Sequence, residues 1–240
     1  MGYREMPAPA ALHGLVETAW VADGEGGGVR VLPDGCMDLI RMGGRVVVAG
    51  PDTTALDATL DAEPIAGLRF RPGALPPLLG VPAVELRDRR VPLAEVCSAP
   101  SHLRLWDLAG ELAARPVRGQ TAPWPLHTVH HVTTRLAAGA TVGAVADEVG
   151  WSSRTLHRQS VAVYGYGPAT LRRILRFRRA VALLRDGVPP VAVAAAAGYA
   201  DQPHLHRECR EFSGLNVARL VYGSGANRST DVPSGSSTVA

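Results

Sequence analysis

Val145-Ala146-Asp147-Glu148-Val149-Gly150-Trp151 returns 48 residues later as Val193-Ala194-Ala195-Ala196-Ala197-Gly198-Tyr199. After one inserted residue, Leu156-His157-Arg158 is repeated as Leu205-His206-Arg207 and Gly165 as Gly214, now at an offset of 49. Each copy reads as a short helix, a glycine turn, an aromatic residue, a polar cap and a second helix. That is the layout of a helix-turn-helix, in which a small alanine lets the helices approach and glycine supplies a positive φ. Ser152 or Ser153 suits the cap of the first copy's second helix, and Asp201 that of the second. Two matched copies are stronger evidence than either alone, because independent local signals agree.

Around the repeat the chain is helical, with apolar spacing that predicts helices over residues 126–136, 141–149, 153–164, 168–184, 191–197 and 202–212. The connecting helix, about 17 residues at ~1.5 Å each, spans roughly 26 Å. With its turns it sets two reading heads about one DNA turn (~34 Å) apart on one face. The second helices carry Ser153, Arg154, Thr155, His157 and Arg158 in the first copy, and Gln202, His204, His206 and Arg207 in the second. Arginine bonds a guanine edge and glutamine an adenine edge in the major groove, while helix N-termini offer N–H groups to phosphates. These nine residues are the candidate DNA contacts.

The 240 residues are 46% hydrophobic, as expected of a soluble globular chain. No apolar stretch approaches the ~20 residues that span a bilayer, and the first residues lack the layout of a signal peptide, so a cytoplasmic location without membrane contact is expected. The halves differ in charge: residues 1–120 hold twelve arginines against fifteen acids, and residues 121–240 hold thirteen against seven, giving −3 and +6. All 25 basic residues are arginine, which we attribute to a GC-rich genome rather than to function. The basic half is the one suited to phosphates.

Pro- and Gly-containing residues 115–125 read as a linker, and the Ser/Gly/Thr-rich residues 223–240 as a disordered tail. Residues 1–114 then form a small β-rich domain with helices, and residues 126–222 an all-α domain of two helix-turn-helix units joined by a long helix: an α+β fold. In the first domain, residues 29–42 and 45–49 are strand-like about a Gly43-Gly44 hairpin turn. Residues 66–70 read as another strand, and residues 92–114 as helices. Asp34, Asp38, Arg69 and Arg71 are candidates for a polar effector pocket, against the alternative of turn caps and surface ion pairs. Cys36 joins that set, although no flanking cation marks it as reactive. The three cysteines are far apart, and His130-His131 point in different directions on a helix, so neither a disulfide nor a metal site is expected. No Ser/His/Asp set, phosphate loop or cofactor motif marks an enzyme.

Residues 126–222 resemble the DNA-binding domain of the AraC-type transcriptional regulators. The matching residues are Ala146, Gly150, Ser152, Arg154, Leu156, Arg158, Gly165 and Pro168, then Gly198 to Gln202, His204 to Arg207, and Gly214. The resemblance implies that the second helix of each unit enters the major groove of double-stranded DNA. It departs at Ser160 and Cys209, where the family usually has phenylalanine, and at Val217, where it usually has proline. Pro203 removes one N–H early in the second reading helix. The segments Leu32-Pro33-Asp34-Gly35-Cys36-Met37-Asp38-Leu39-Ile40 and Gly67-Leu68-Arg69-Phe70-Arg71-Pro72-Gly73 look typical of a sensor domain that precedes this module. The resemblance therefore implies a transcriptional regulator with a small effector at the first domain, RNA polymerase as a partner and a possible homodimer. The alternative is a ligand-independent regulator whose first domain only dimerises or binds a protein.

Overall fold

Gly43 and Gly44 both take a positive φ (53° and 72°) and reverse the chain between two strands of the first half. The computed structural model describes residues 2–23, 28–59, 63–100, 102–116, 124–222 and 231–232. Most of the expected linker and tail lies outside these residues.

The first half runs β1 (Gly2–Pro7), β2 (Val16–Asp23), β3 (Gly28–Val31), β4 (Met37–Met42), β5 (Arg45–Ala49), β6 (Leu56–Thr59) and β7 (Ile65–Phe70). There follow α1 (Leu75–Leu79), α2 (Ala83–Leu86), β8 (Arg90–Pro92), α3 (Leu93–Val96) and α4 (Leu105–Ala113). An antiparallel sheet of order β1-β2-β7-β4-β5-β8 forms its frame. A small sheet pairs β3 with β6 antiparallel and with the two-residue β9 (Asp231–Val232) parallel.

Strand alternation gives the large sheet two unlike faces. Leu39, Val48, Leu68 and Phe70 point to one side and pack with Leu75, Leu108 and other residues of the helices in a closed core. Their neighbours Asp38, Ile40, Val47 and Arg69 point to the other side, toward β3 and β6. Trp20 lies across Gly67, where a Cβ would sit 2.3 Å from the indole; the glycine makes room for the ring.

The expected hairpin is present as β4 and β5, but the strand-like run 29–42 is two strands in different sheets, split at residues 32–36. The sequence reading also lacked β1, β2, β6, α1, α2 and β8. β1 and β2 are weakly patterned, and α2 has only 4 residues, too few for helical periodicity to register.

The second half is helical: α5 (Leu126–Ala137), α6 (Val142–Glu148), α7 (Ser153–Tyr164), α8 (Pro168–Arg185), α9 (Pro190–Ala197), α10 (Gln202–Ser213) and α11 (Val217–Tyr222). The helix pairs α6–α7 and α9–α10 are the two helix-turn-helix units, and α8, 18 residues long, joins them. The six expected helices form within a residue or two of their expected ends; α11 was not anticipated. One apolar core serves both units, with Val145, Leu156, Ile174, Phe177, Val193 and Leu205 all buried in it. Ser160 and Cys209, the two small departures from the family pattern, are fully buried there. Pro203 falls in the first turn of α10, where backbone N–H groups have no helical partner in any case.

The halves meet over α7 and α8. Leu32 packs into the helical core, and α2 lies against α7. Gly165 ends α7 in the left-handed region, and a Cβ there would sit 2.6 Å from Pro51 Cγ. Gly150 takes a similar φ of 72°, but its Cβ would meet open space. We expect Gly150→Ala to cost only the backbone strain, about 1 kcal/mol. Gly165→Ala should cost about 2 kcal/mol or more, because the contact with Pro51 adds to the strain. Urea unfolding of both variants checks the order.

Candidate nucleic-acid interface and ligand pocket

The first unit is assembled by local bonds. Thr141 caps α6, its hydroxyl accepting from the Ala144 N–H. Gly150 turns the chain, and the Trp151 N–H donates to the Ala146 carbonyl at 2.8 Å. Ser152, rather than Ser153, caps α7 by accepting from the Thr155 N–H at 3.2 Å. Leu156, Ser160, Val163 and Tyr164 then face the core. Ser153, Arg154, His157 and Arg158 remain exposed, and Thr155 is half-buried.

The second unit repeats this arrangement. The Tyr199 N–H donates to the Ala194 carbonyl at 2.9 Å, and Asp201 Oδ1 accepts from the His204 N–H at 2.6 Å. Leu205, Cys209 and Phe212 turn inward, while His206 and Arg207 are exposed. Gln202 is half-buried, 3.4 Å from His206. His204 is also half-buried: its ring meets Tyr199 edge-on at 5.1 Å, and its Nε2 lies 3.4 Å from Arg176. It therefore faces α8 more than solvent.

Behind this surface stands Glu208, 2% exposed. Arg173 donates to it at 3.0 Å, and Arg176 at 3.0 and 2.6 Å. Burial works to raise the Glu208 pKa, but the bonds from Arg176 and then Arg173 outweigh it and hold the carboxyl below its usual range. Arg176 also covers the Tyr199 ring at 4.4 Å. These arginines tie α10, the second outward helix, to α8, the helix that joins the two units. No short-range pattern marks such pairs in the sequence, since the partners lie more than thirty residues apart.

On the inner face of the large sheet, β3 and β6 close over a cavity of about 240 Å³. Asp34, Cys36, Asp38 and Arg69 line it together. Arg71 is outside, donating from Nε to the His13 carbonyl at 2.9 Å. Three lining residues had no signal in the sequence: Trp20, and the pair Asp52–Arg90, which meets in two bonds of 2.7 and 2.6 Å. Asp38 accepts from the Trp20 indole N–H at 2.8 Å. Burial pushes the Asp38 pKa up to about 6 against the opposing charge of Arg69, and the negative charge of Asp34 adds to the rise.

Cys36 has a thiol pKa well above its ordinary value, raised by burial and then by Asp34 and Glu17. Arg178 of α8 stands 3.7 Å from its sulfur but does not reverse the shift. The thiol is thus not an activated nucleophile. Arg178 also binds Glu17 of β2, an ion pair that links the sheet to α8. His131 and Arg135 bind Glu148 on the surface. Among the described residues no cluster of ligands could hold a metal ion, and no helix is long and apolar enough to cross a membrane.

Two capped, outward helices on a repeated scaffold, set in the basic half of the chain, define a DNA-binding protein of the helix-turn-helix class. Comparison with known families agrees: residues 129–220 match a family described as a helix-turn-helix domain, and residues 4–92 match a domain of unknown function (DUF6597). The helical half is a DNA-binding domain of AraC type, and the chain is a DNA-binding regulator of transcription. No curated protein matches the chain. Among solved structures it is similar to ToxT from Vibrio cholerae O395, at 9% identity and a TM-score of 0.45 over 86% of this chain and 97% of that one. It is also similar to the P21 crystal form of ToxT, at 8% identity and 0.46 over 92% and 98%. A third similar structure is the unsaturated fatty acid-bound ToxT of strain SCE256, at 7% and 0.42 over 93% and 95%.

The raised pKa of Asp38 has a definite consequence for stability. A carboxyl that binds its proton more tightly when folded stabilises the fold fully below its unfolded pKa, near 3.8, and that contribution is lost as pH rises through about 6. Asp38→Asn, which keeps an oxygen for the Trp20 N–H, should therefore gain stability relative to wild type between pH 4 and 7, by about 2 kcal/mol. Denaturant midpoints across that range measure it; a constant difference would place the pKa of Asp38 near its ordinary value.

Proposed function

We propose that the chain reads two successive major grooves of double-stranded DNA with α7 and α10, and that a small effector in the sheet-enclosed pocket adjusts this reading. The observation that carries the DNA part is the matched exposure of the two helices at their N-terminal ends. Ser153, Arg154, His157 and Arg158 stand free on one, and His206 and Arg207 on the other, with both N-termini capped. Thr155, Gln202 and His204 complete the contact set at its edges, His204 by orienting Arg176. α8, 18 residues at ~1.5 Å each, spans roughly 27 Å, which with its flanking turns suits heads about one helical turn (~34 Å) apart. The single-chain module needs no second copy to reach two grooves.

The effector part rests on how the first half holds these helices. Arg87 Nη1 donates to the Gly165 carbonyl at the end of α7 at 3.1 Å. Arg30 Nη1 donates to the Ser213 carbonyl at the end of α10, also at 3.1 Å. The Ala55 N–H donates to the neighbouring Phe212 carbonyl at 2.7 Å. Arg30 belongs to β3 and Ala55 immediately precedes β6, the two strands that close the pocket. Filling the pocket shifts those strands, and with them the grip on α10.

In vitro selection from random duplex DNA by the full-length protein tests the first part. Two short half-sites about one turn apart are expected. Arg158→Ala and Arg207→Ala should each weaken the selected site by about 1–3 kcal/mol and relax preference at a few base pairs. Equal losses on every sequence would reduce both arginines to phosphate contacts.

A further inference from the structure

The pocket has an apolar body and a polar end, and the polar end holds more acid than base. Trp20, Ile40, Val47 and Ile65 line the body. Met42 and Leu56 also line it and are 36% and 38% exposed; large apolar groups left open beside a cavity suit an apolar ligand. At the polar end Arg90 and Asp52 satisfy each other in their two-bond pair. Arg69 stands among three carboxylates: Glu5 at 3.4 Å, Asp34 at 3.5 Å and Asp38 at 3.6 Å.

The three acids are not equally served. Glu5 accepts from the Tyr3 hydroxyl at 2.7 Å, and Asp38 from the Trp20 N–H at 2.8 Å. Asp34 uses Oδ1 to accept the Cys36 N–H at 2.8 Å, but its buried Oδ2 makes no hydrogen bond. The residue is only 7% exposed. Among the described residues it is the only buried carboxylate oxygen without a donor. Arg69 Nε stands 3.5 Å from this oxygen without bonding it, and a buried carboxylate oxygen left without a hydrogen bond is unfavourable. A ligand that brings both a donor and a positive charge relieves it. An anion would meet surplus carboxylates and guanidiniums that are already engaged.

We propose that this pocket, taken above as the effector site, binds a small apolar molecule bearing one protonated amine, with the ammonium at Asp34 Oδ2 and beside Asp38. An ammonium has three donors for the acid-rich end, and an aryl or branched alkyl body fits against Trp20 and Ile40. The volume of about 240 Å³ lies below the range for drug-sized ligands (~300–1,000 Å³), so the ligand is small. This assignment rests on the effector reading for its regulatory meaning, but not for its chemistry.

The experiment compares three ligands that share a body and differ in the head: phenylbutylamine, phenylbutanol and phenylbutanoate. Binding to the full chain is measured by calorimetry near pH ~7.5, where an alkylamine remains protonated. The amine should bind at least about ten-fold more tightly than the alcohol, and the acid most weakly. Asp34→Asn keeps the oxygen that accepts the Cys36 N–H; it should cost the amine about ten-fold and leave the alcohol within about two-fold. The ranking of the three heads on the wild-type protein needs no variant and stands if Asp34→Asn does not fold. Equal binding of all three, preference for the acid or alcohol, or no binding overturns the proposal. Affinity for the selected operator, measured with each ligand, separates the two readings. An amine that binds and leaves operator affinity unchanged supports the ligand class and removes the effector role. An acid or alcohol that binds best and shifts operator affinity keeps the effector role and overturns the amine.

Discussion

The carbonyls that end α7 and α10 have no partners within their own helices, as at any helix C-terminus, and the first half of the chain supplies them. Arg87 takes one end, and Arg30 with the Ala55 N–H takes the other. Cations at this end also suit the helix dipole. The two helices are thereby held at their inner ends and left open at their outer, capped ends, which is where a phosphate or a base edge is met. The relation of the two halves follows from these bonds, from Leu32 in the helical core, and from the Glu17–Arg178 pair across to α8. Each is a polar or apolar group of one half that would be left unsatisfied if the halves parted.

The same strands explain why the pocket lies where it does. The large sheet has helices over one face, so that face is apolar and closed. Among the described residues the short β3 and β6 lie over the other face and leave a gap that Asp34, Asp38 and Arg69 make polar at one end. The segment 32–36 runs between the two regions: Leu32 is in the helical core, Asp34 and Cys36 line the pocket, and Gly35 faces Leu171 and Tyr166. Burial raises the pKa of the Tyr166 hydroxyl, and the charge of Asp34 raises it further. The Tyr166 hydroxyl of the helical half thus lies within the electrostatic reach of Asp34.

Much of the helical half was legible from residues alone. The turn glycines, the caps Ser152 and Asp201, and the inward Leu156 and Leu205 each act within a few positions of chain, so their spacing announces them. In α8 the expected helix forms, with Leu171, Ile174, Phe177 and Leu184 buried and Leu183 only half inside. In the β-rich half, four of the five candidate pocket residues line one cavity, but Arg71, two positions from Arg69, does not. Arg71 lies past the end of β7 and follows the turn instead of the sheet alternation.

What the sequence determined by itself is the repeat, the ends of its helices and six of the nine outward residues, because helix caps and 3.6-residue periodicity depend on neighbours in the chain. What only the tertiary structure decided is which chemistry each half turns toward the other. Arg30 finds Ser213 across 183 positions, and Trp20 finds Asp38 across 18. No local pattern encodes such a meeting. It arises when buried donors and acceptors must be satisfied at once, and only the folded sheet brings them within reach.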